Sequence, residues 1–318
     1  GTYFGFSAAV FGLAITQSLK ITRALDWCIK QLAETEISMI SAERVIEYAE
    51  SMESERAMVT EVRPPPNWPE HGRIQFVNVS VRYRPHLPPV LKNINLEFCP
   101  RQRIAIVGRT GAGKSTMVSV LFRLVEPSAG QVLVDGLDIQ SLGLFDLRTR
   151  LAIVPQEPVL FAGCLRFNLD PLSEHTDDQL WLALEQTHMA DTVRKMAGTA
   201  GLDMAIMENG DNFSIGQKQL LCLARAVLKK TTVLVLDEAT ANIDMENDAL
   251  IQHSLRENFS TSHTIITIAH RLNTIIDYDK VIVMRAGEVV EFDSPSVLAA
   301  NPESMFSEML RESQHSHE

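Results

Sequence analysis

A glycine-rich segment carries the residue types best suited to phosphate chemistry. Residues 108–115 are Gly-Arg-Thr-Gly-Ala-Gly-Lys-Ser and match the pattern G-x-x-x-x-G-K-[ST], after a predicted strand over 104–107 and before a predicted helix. Glycines let backbone N–H groups converge on phosphate oxygens, and the amino terminus of a helix favours negative charge. The Lys114 ammonium group would reach the β- and γ-phosphates, and the Ser115 hydroxyl would bind Mg²⁺. The pattern therefore predicts a nucleoside triphosphate as ligand, although families with many different activities share it.

Two acidic residues follow a second apolar segment. Residues 233–236 are consecutively apolar, which is typical of a strand covered on both faces, and Asp237 and Glu238 come at its carboxyl end. A carboxylate at Asp237 could organise the ligands of a metal ion, and Glu238 could accept a proton from an attacking water. Two acids at this place could instead cap the next helix. The presence of Lys114 after a separate strand argues against that alternative.

Polar residues at three further places complete the pattern. Ser214 and Gly216 stand at the start of a predicted helix, whereas Gln156 and His270 each follow a predicted strand. Each of these residues alone would be given a structural role, since a serine before an apolar helix is a common N-cap. Because these residues occur in a fixed order with the glycine-rich segment, the combined pattern is far more specific than any one of them.

Composition excludes several classes of protein. The chain has 318 residues, of which 29 are basic and 40 acidic, and the resulting charge of −11 disfavours a nucleic-acid scaffold. Hydrophobic residues make up 45% and charged residues 22%, as in a packed globular protein. A mean hydropathy of +0.01 is too low for a polytopic membrane protein. A disulfide framework and a structural zinc site are excluded because no C-x-x-C and no histidine at metal-ligand spacing accompany the four cysteines, Cys28, Cys99, Cys164 and Cys222.

Short β-branched runs alternate with helical patterns from residue 74 onward. This alternation predicts an α/β fold whose sheet has a largely parallel centre preceded by antiparallel strands. Helices are predicted over 114–124, 177–187, 215–228 and 246–258, and strands over 74–83, 95–98, 103–107, 131–134, 151–154, 233–236, 264–269, 280–284 and 288–292.

The amino-terminal part has a different character. Residues 1–19 carry no charge and are followed by Lys20, Arg23 and Lys30, so hydropathy leaves open either a membrane-spanning helix or a buried core helix. An apolar stripe predicts a helix over 20–57, which either packs on its own domain or continues from the membrane. The prolines of residues 63–69 predict a linker and a domain boundary.

Together these motifs resemble the nucleotide-binding domain of an ATP-binding-cassette (ABC) transporter over residues 74–310. The resemblance implies a P-loop ATPase with a mixed sheet, an antiparallel β subdomain and a helical signature subdomain, preceded by a long helix from a transmembrane domain. It implies ATP as substrate and Mg²⁺ as cofactor. The implied catalytic residues are Glu238, His270, Gln156 and Lys114, and the implied metal ligands are Ser115, Gln156 and Asp237. The implied nucleotide-binding residues are Tyr83, which would stack on adenine, and Gly108, Arg109, Thr110, Gly111, Ala112, Gly113, Lys114, Ser115, Thr116, Ser214, Gly216, Gln217 and Asp244.

Local sequences are similar to subfamily C, the multidrug-resistance-associated-protein group, in its second half. These include Leu-Phe-Arg-Leu-Val-Glu at 121–126 and Ile-Val-Pro-Gln-Glu-Pro-Val-Leu-Phe at 153–161. The resemblance implies the carboxyl-terminal piece of a multi-pass membrane exporter of organic anions or amphipathic conjugates, with this domain on the cytoplasmic side. Its implied partners are a second nucleotide-binding domain, transmembrane domains and a small-molecule substrate, but no nucleic acid. The implied segments are the end of the last transmembrane helix (1–19), a helical extension (20–62), a linker (63–73), the domain (74–310) and a tail (311–318).

One departure from the family pattern bears on mechanism. The usual signature Leu-Ser-Gly-Gly-Gln is Phe-Ser-Ile-Gly-Gln here, with Phe213 and Ile215 substituted. The resemblance implies a Walker A segment at 108–116 and a Walker B segment at 233–238, which together form the Walker side of a site. Because these domains dimerise head to tail, this chain is expected to supply the competent Walker side of one site and a degenerate signature to the other. A regulatory subunit or channel of the subfamily stays open as an alternative. A soluble ABC ATPase of DNA repair is disfavoured because such proteins carry a long coiled-coil insertion, for which residues 157–213 leave no room. A soluble ABC ATPase of translation is disfavoured because such proteins carry two cassettes in one chain, whereas this sequence shows one.

Overall fold

The first part of the chain is dominated by one long helix. The computed structural model describes residues 8–52, 54–237, 245–259, 263–269 and 272–315. The chain divides into two units, residues 1–56 and 57–318. In the first unit, helix α1 covers Ala8–Ser51. Within the described ranges, no helix combines the length and apolar character needed to cross a membrane.

Helix α1 ends earlier than the sequence predicted. Helix was expected through residue 57, and the helical extension through residue 62, but residues 54–62 are not helical. The backbone N–H groups of Leu144 and Phe145 instead donate to the carbonyl oxygens of Ala57 and Met58, at 3.2 and 2.9 Å. These non-local hydrogen bonds hold the segment in an irregular conformation that local sequence does not reveal.

The proline-rich segment 63–69 belongs to the second unit and packs against its strands and helices. The Trp68 side chain is buried, and its indole N–H donates to the carbonyl oxygen of Val134 at 2.9 Å. The Arg63 guanidinium donates to the Asp146 carboxylate at 3.0 Å. The segment predicted as a linker therefore contributes buried contacts to the domain that follows it.

The second unit contains short strands and helices in alternation. Its helices are α2 (Lys114–Leu121), α3 (Leu144–Arg150), α4 (Leu165–Leu169), α5 (Asp177–Gln186), α6 (Ala190–Ala197), α7 (Ile215–Lys229), α8 (Met245–Phe259), α9 (Pro295–Ala300) and α10 (Met305–His315). Its strands are β1 (Ile74–Val81), β2 (Leu91–Phe98), β3 (Arg103–Gly108), β4 (Ala129–Val134), β5 (Leu137–Asp138), β6 (Leu151–Val154), β7 (Gly163–Cys164), β8 (Ala205–Ile206), β9 (Val233–Asp237), β10 (Thr264–Ile268), β11 (Lys280–Arg285) and β12 (Glu288–Asp293).

An antiparallel sheet and a mostly parallel sheet organise these strands. The antiparallel sheet has the order β2-β1-β4-β5, and the six-stranded sheet has the order β12-β11-β3-β10-β9-β6. Strands β11, β3, β10, β9 and β6 are parallel, and β12 runs antiparallel to β11. The predicted mixed α/β fold is thus confirmed. Because the parallel strands share one direction, β3, β10, β9 and β6 all end at one edge of the sheet.

The helices around α7 form a separate part of the core. Leu180, Leu184 and Val193 from α5 and α6 pack with Leu220 and Leu223 of α7, all almost fully buried. This helical layer lies beyond β6 in sequence and corresponds to the predicted helical subdomain. It positions the amino-terminal end of α7, where Ser214 stands.

Candidate nucleotide-binding site

The turn between β3 and α2 requires glycine at its last position. Gly113 precedes α2 directly and has φ +104, a conformation that residues with a Cβ rarely adopt. A Cβ at Gly113 would also lie 2.8 Å from Cδ2 of Leu91. The chain therefore enters α2 with its first backbone N–H groups directed out of the helix end, where they have no intrahelical acceptor. Such a helix end suits an anion.

The Lys114 side chain folds over this turn. It is only 6% exposed, and its Nζ donates to the carbonyl oxygen of Gly108 at 2.8 Å and to that of Arg109 at 3.5 Å. Burial of an ammonium group is costly unless polar partners compensate for the lost water. The loop carbonyls provide such partners and hold the positive charge beside the turn, where a phosphate group would meet it.

Gln156 is brought against the same turn by the sheet. A pocket of about 410 Å³ is lined by Val90, Thr110, Gly111, Gly113, Lys114, Ser115, Thr116 and Gln156. Its volume falls within the range of small-molecule sites. Gln156 comes from the loop after β6, three strands away from β3 in the sheet. The shared carboxyl edge thus unites residues that are distant in sequence.

Tyr83 lies beside this pocket. Its hydroxyl and the Thr116 hydroxyl are 3.1 Å apart, within hydrogen-bond distance, while the residue remains 53% exposed. The aromatic ring is therefore anchored next to the first turn of α2 with much of its surface accessible. This position is compatible with the predicted stacking on adenine, which stays a prediction.

Asp237 completes the edge of the sheet. It is the last residue of β9 and lies level with Ile268 of β10, which is level with Ile106 of β3. With Ser115 and Gln156 it offers a carboxylate, a hydroxyl and an amide, the oxygen donors that Mg²⁺ prefers. These residue types therefore fit a magnesium ion. Glu238, Asp244 and His270 lie outside the described residues.

Two other residues of the turn have structural contacts. Arg109 points outward, and its Nη2 lies 3.8 Å from the Glu312 carboxylate in α10. Ala112 is buried, and its N–H donates to the carbonyl oxygen of Arg109 at 3.1 Å. The side chain of Arg109 thus faces the carboxyl-terminal helix, although its backbone belongs to the predicted phosphate loop.

The residues of the predicted signature stand apart from the pocket. Ser214 Oγ accepts a hydrogen bond from the Gln217 N–H at 3.2 Å, and Gln217 Oε1 accepts one from the Ser214 N–H at 3.0 Å. This reciprocal cap starts α7. None of residues 213–217 is among the described residues that line the 410 Å³ pocket. Phe213 is buried in the helical core, whereas Ile215 is 53% exposed.

Sequence reasoning missed Gln219. This residue is 2% exposed, and its side-chain N–H₂ donates to the carbonyl oxygens of Pro155 and Gln156, both at 3.0 Å. It holds the backbone of the loop that carries Gln156. The one feature of the sequence that could have pointed to Gln219 is its position as a polar residue directly before the apolar run 220–224 of α7.

Comparison with known proteins decides the family. Residues 91–241 match the family model described as ABC transporter. ATP-binding cassette sub-family C member 2 of Rattus norvegicus is 48% identical over 297 residues, covering 93% of this chain and 19% of that protein. This chain belongs to the ABC transporter family. The human sub-family C member 4 is also 48% identical, over 96% of this chain and 23% of its own length.

Further relatives agree with this family assignment. Metal resistance protein YCF1 of Saccharomyces cerevisiae is 46% identical over 96% of this chain and 20% of its own length. A solved structure of a bacterial Atm1-family ABC exporter with ATP bound has a TM-score of 0.77 and 30% identity, over 93% of this chain and 50% of that chain. The predicted ATP-binding ATPase domain of subfamily C is therefore confirmed. The chain spans about a fifth of the length of the two sub-family C members and of YCF1.

Proposed function

We propose that this chain is the carboxyl-terminal nucleotide-binding domain of a subfamily C exporter. The exporter would be a multi-pass membrane protein, with this domain on the cytoplasmic side. The observation that carries the proposal is the single pocket in which Lys114, Ser115 and Gln156 meet at the carboxyl edge of the sheet. Residues 1–19 would be the end of the last transmembrane helix, residues 74–310 the domain and residues 311–318 a tail.

ATP binding would use both sides of the pocket. The Tyr83 ring would stack on adenine, and the backbone N–H groups at the start of α2 would hold the phosphates. The Lys114 ammonium group would exchange its bond to the Gly108 carbonyl for bonds to β- and γ-phosphate oxygens. Because Lys114 is already held beside the turn, little side-chain freedom would be lost on binding.

Hydrolysis would proceed by in-line attack of water on the γ-phosphorus. The new bond joins the water oxygen to phosphorus, the bond to the β–γ bridging oxygen breaks, and Glu238 accepts the proton of the water. Lys114 would stabilise the charge on the phosphate oxygens, and His270 would contact the γ-phosphate. A Mg²⁺ ion held by Ser115, Gln156 and Asp237 would neutralise part of the same charge.

A second nucleotide-binding domain would complete each site. In a head-to-tail dimer, Ser214, Gly216 and Gln217 would face the nucleotide of the partner domain, and Asp244 would lie at the dimer interface. The separation of the α7 cap from the pocket in one chain supports this arrangement. Ile215 is exposed beside that cap, so its side chain would hinder close approach of the backbone to phosphate. This chain would thus serve the competent site with its Walker residues and the weaker site with its signature.

Transport would follow from contacts between Gln156 and the transmembrane domains. The transported molecules would be organic anions or amphipathic conjugates. The test is ATP-driven uptake of such a conjugate into inside-out vesicles that contain the complete protein, with Glu238→Gln protein as control. Uptake that requires ATP and fails in the variant supports a pump. Conductance that ATP gates without accumulation of the conjugate, or ATP binding without any uptake, would instead identify a channel or a regulatory subunit.

A further inference from the structure

Outside the nucleotide pocket, two histidines and a glutamate converge on the surface. His188, His253 and Glu257 each place one potential ligand atom so that all these atoms lie within 4.8 Å of one another, and all three residues are exposed. His188 follows the end of α5, whereas His253 and Glu257 are one turn apart in α8. Residues from two different parts of the chain thus form one donor cluster.

The distances in this cluster suit a metal ion. His253 Nδ1 and the Glu257 carboxylate are 3.4 Å apart. That separation is the edge of a tetrahedron with metal–ligand bonds of about 2.1 Å, the usual length of zinc–nitrogen and zinc–oxygen bonds. The imidazole rings of His188 and His253 have centroids 5.5 Å apart and planes tilted by 56°. Small rotations of these exposed side chains would bring the third donor to the same distance.

The backbone around the cluster is fixed by buried contacts. Asn258 in α8 donates to the carbonyl oxygen of Gln186 at 3.1 Å, which ties α8 to the segment carrying His188. Thr187 is fully buried, and Ile251 and Leu255 anchor the opposite face of α8 in the core. Only side-chain torsions therefore need to change on binding, so little of the binding free energy is spent on ordering the site.

The donor set selects the class of ion. A simple ion pair between His253 and Glu257 at i and i+4 would not need His188. Two imidazoles and one carboxylate form a common ligand set of zinc, whereas Mg²⁺ and Ca²⁺ prefer oxygen donors alone. This cluster contains no cysteine, so the absence of a cysteine-based zinc motif from the sequence does not bear on it. We propose that His188, His253 and Glu257 bind a divalent transition-metal ion of the zinc class, with a fourth position open to water.

An ion bound here would connect two parts of the domain. Helix α8 follows strand β9, whose last residue Asp237 lies at the edge of the nucleotide site, and His188 belongs to the connection between α5 and α6. Metal binding would therefore clamp the helical layer to the helix that follows the nucleotide-site strand. The expected effect is a higher stability of the folded domain, whichever molecule is transported.

The test is titration of the 318-residue chain, without a histidine tag, with Zn²⁺ by calorimetry under reducing conditions. We expect one site per chain, with affinity lowered about tenfold or more in His253→Ala and in His188→Asn. Asparagine is chosen because His188 has φ +56, which asparagine tolerates. Controls are His71→Ala, an exposed histidine elsewhere, and the double variant His315→Ala/His317→Ala. Unchanged affinity in both site variants, or loss of binding in the tail variant, would overturn the proposal.

A second measurement separates metal binding from folding defects. Glu257→Gln changes one exposed side chain and should fold normally, yet it should lower the affinity for Zn²⁺. Saturating Zn²⁺ should raise the unfolding temperature of the original chain because the ion binds only the folded state, and should raise it less in Glu257→Gln. A thiolate-to-metal charge-transfer band with Co²⁺ would assign the ion to cysteine and contradict the site.

Discussion

The side-chain amide of Gln219 donates a hydrogen bond to the backbone carbonyl oxygen of Gln156 at 3.0 Å. Gln219 lies one turn into α7, the helix capped by Ser214 of the predicted signature, and Gln156 lines the candidate nucleotide pocket. The start of α7 and the loop after β6 are thereby joined through one buried side chain. In a head-to-tail dimer, this bond would connect the signature facing one nucleotide with the glutamine facing the other.

Replacement of this amide should impair turnover more than nucleotide binding. Gln219→Ala leaves the carbonyls of Pro155 and Gln156 without their donor, so we expect a loss of unfolding free energy on the order of 1–3 kcal/mol. ATP hydrolysis by the complete protein should fall, while ATP binding should be largely kept because Lys114 and the α2 amides are unaffected. Denaturation, nucleotide binding and phosphate release measure the three effects.

Lys218→Ala provides the matched control for Gln219. Lys218 is adjacent in α7, but its ammonium group donates to the carbonyl oxygen of Asn209 at 2.7 Å, away from Gln156. If both variants lower turnover equally, the effect belongs to the helix and not to the bond with Gln156.

Tyr83 should contribute through its ring and not through its hydroxyl. Tyr83→Ala should weaken ATP binding about tenfold, because stacking of a base on an aromatic ring contributes roughly 1–3 kcal/mol. Tyr83→Phe should bind ATP nearly as the original chain does, although it loses the contact with the Thr116 hydroxyl. Equilibrium titration with a fluorescent ATP analogue measures both. Equal weakening in the two variants would mean that the hydroxyl contact, and not stacking, is what matters.

Sequence alone predicted the parts of the site that follow strands of four to six residues. The β-branched runs before Gly108, Asp237 and Gln156 define parallel strands, and parallel strands bring their carboxyl ends to one edge. The strands β5, β7 and β8 have two residues each and therefore show no periodicity. Contacts such as Gln219 with Gln156, or His188 with His253, join residues far apart in sequence and depend on tertiary packing.

Gly143 should be required for the packing of the segment after α1. A Cβ at this position would lie 2.5 Å from the carbonyl oxygen of Met58, so Gly143→Ala must displace that backbone. We expect a loss of about 1–3 kcal/mol in unfolding free energy and faster amide hydrogen exchange near Leu144 and Phe145, which donate to this segment. Gly12→Ala is the control, since a Cβ there meets nothing within 4 Å. Unaltered exchange in Gly143→Ala would refute the close packing.

Restoration of glycine at position 215 should raise the ATPase activity of the isolated chain. In Ile215→Gly, two copies could form head-to-tail sites in which each Walker side meets an unobstructed signature. Ile215 is exposed, so its loss should cost little stability, whereas Phe213 is buried and is left unchanged. Specific activity should increase with protein concentration, because dimers are required. Ile215→Val keeps the bulk and serves as control. An activity of Ile215→Gly that equals that of Ile215→Val would argue against the proposed degenerate signature.

The proposed competent site is tested most directly by ATP turnover of the complete protein carrying Glu238→Gln. In the proposed site, Glu238 accepts the proton of the attacking water, whereas Lys114 and the turn after β3 bind the phosphates. We therefore expect Glu238→Gln to bind ATP as the original protein does but to hydrolyse it more slowly, by about a hundredfold or more. Phosphate release and equilibrium ATP binding measure the two quantities on one preparation. Near-normal hydrolysis by Glu238→Gln would contradict the assignment of the competent site to this domain.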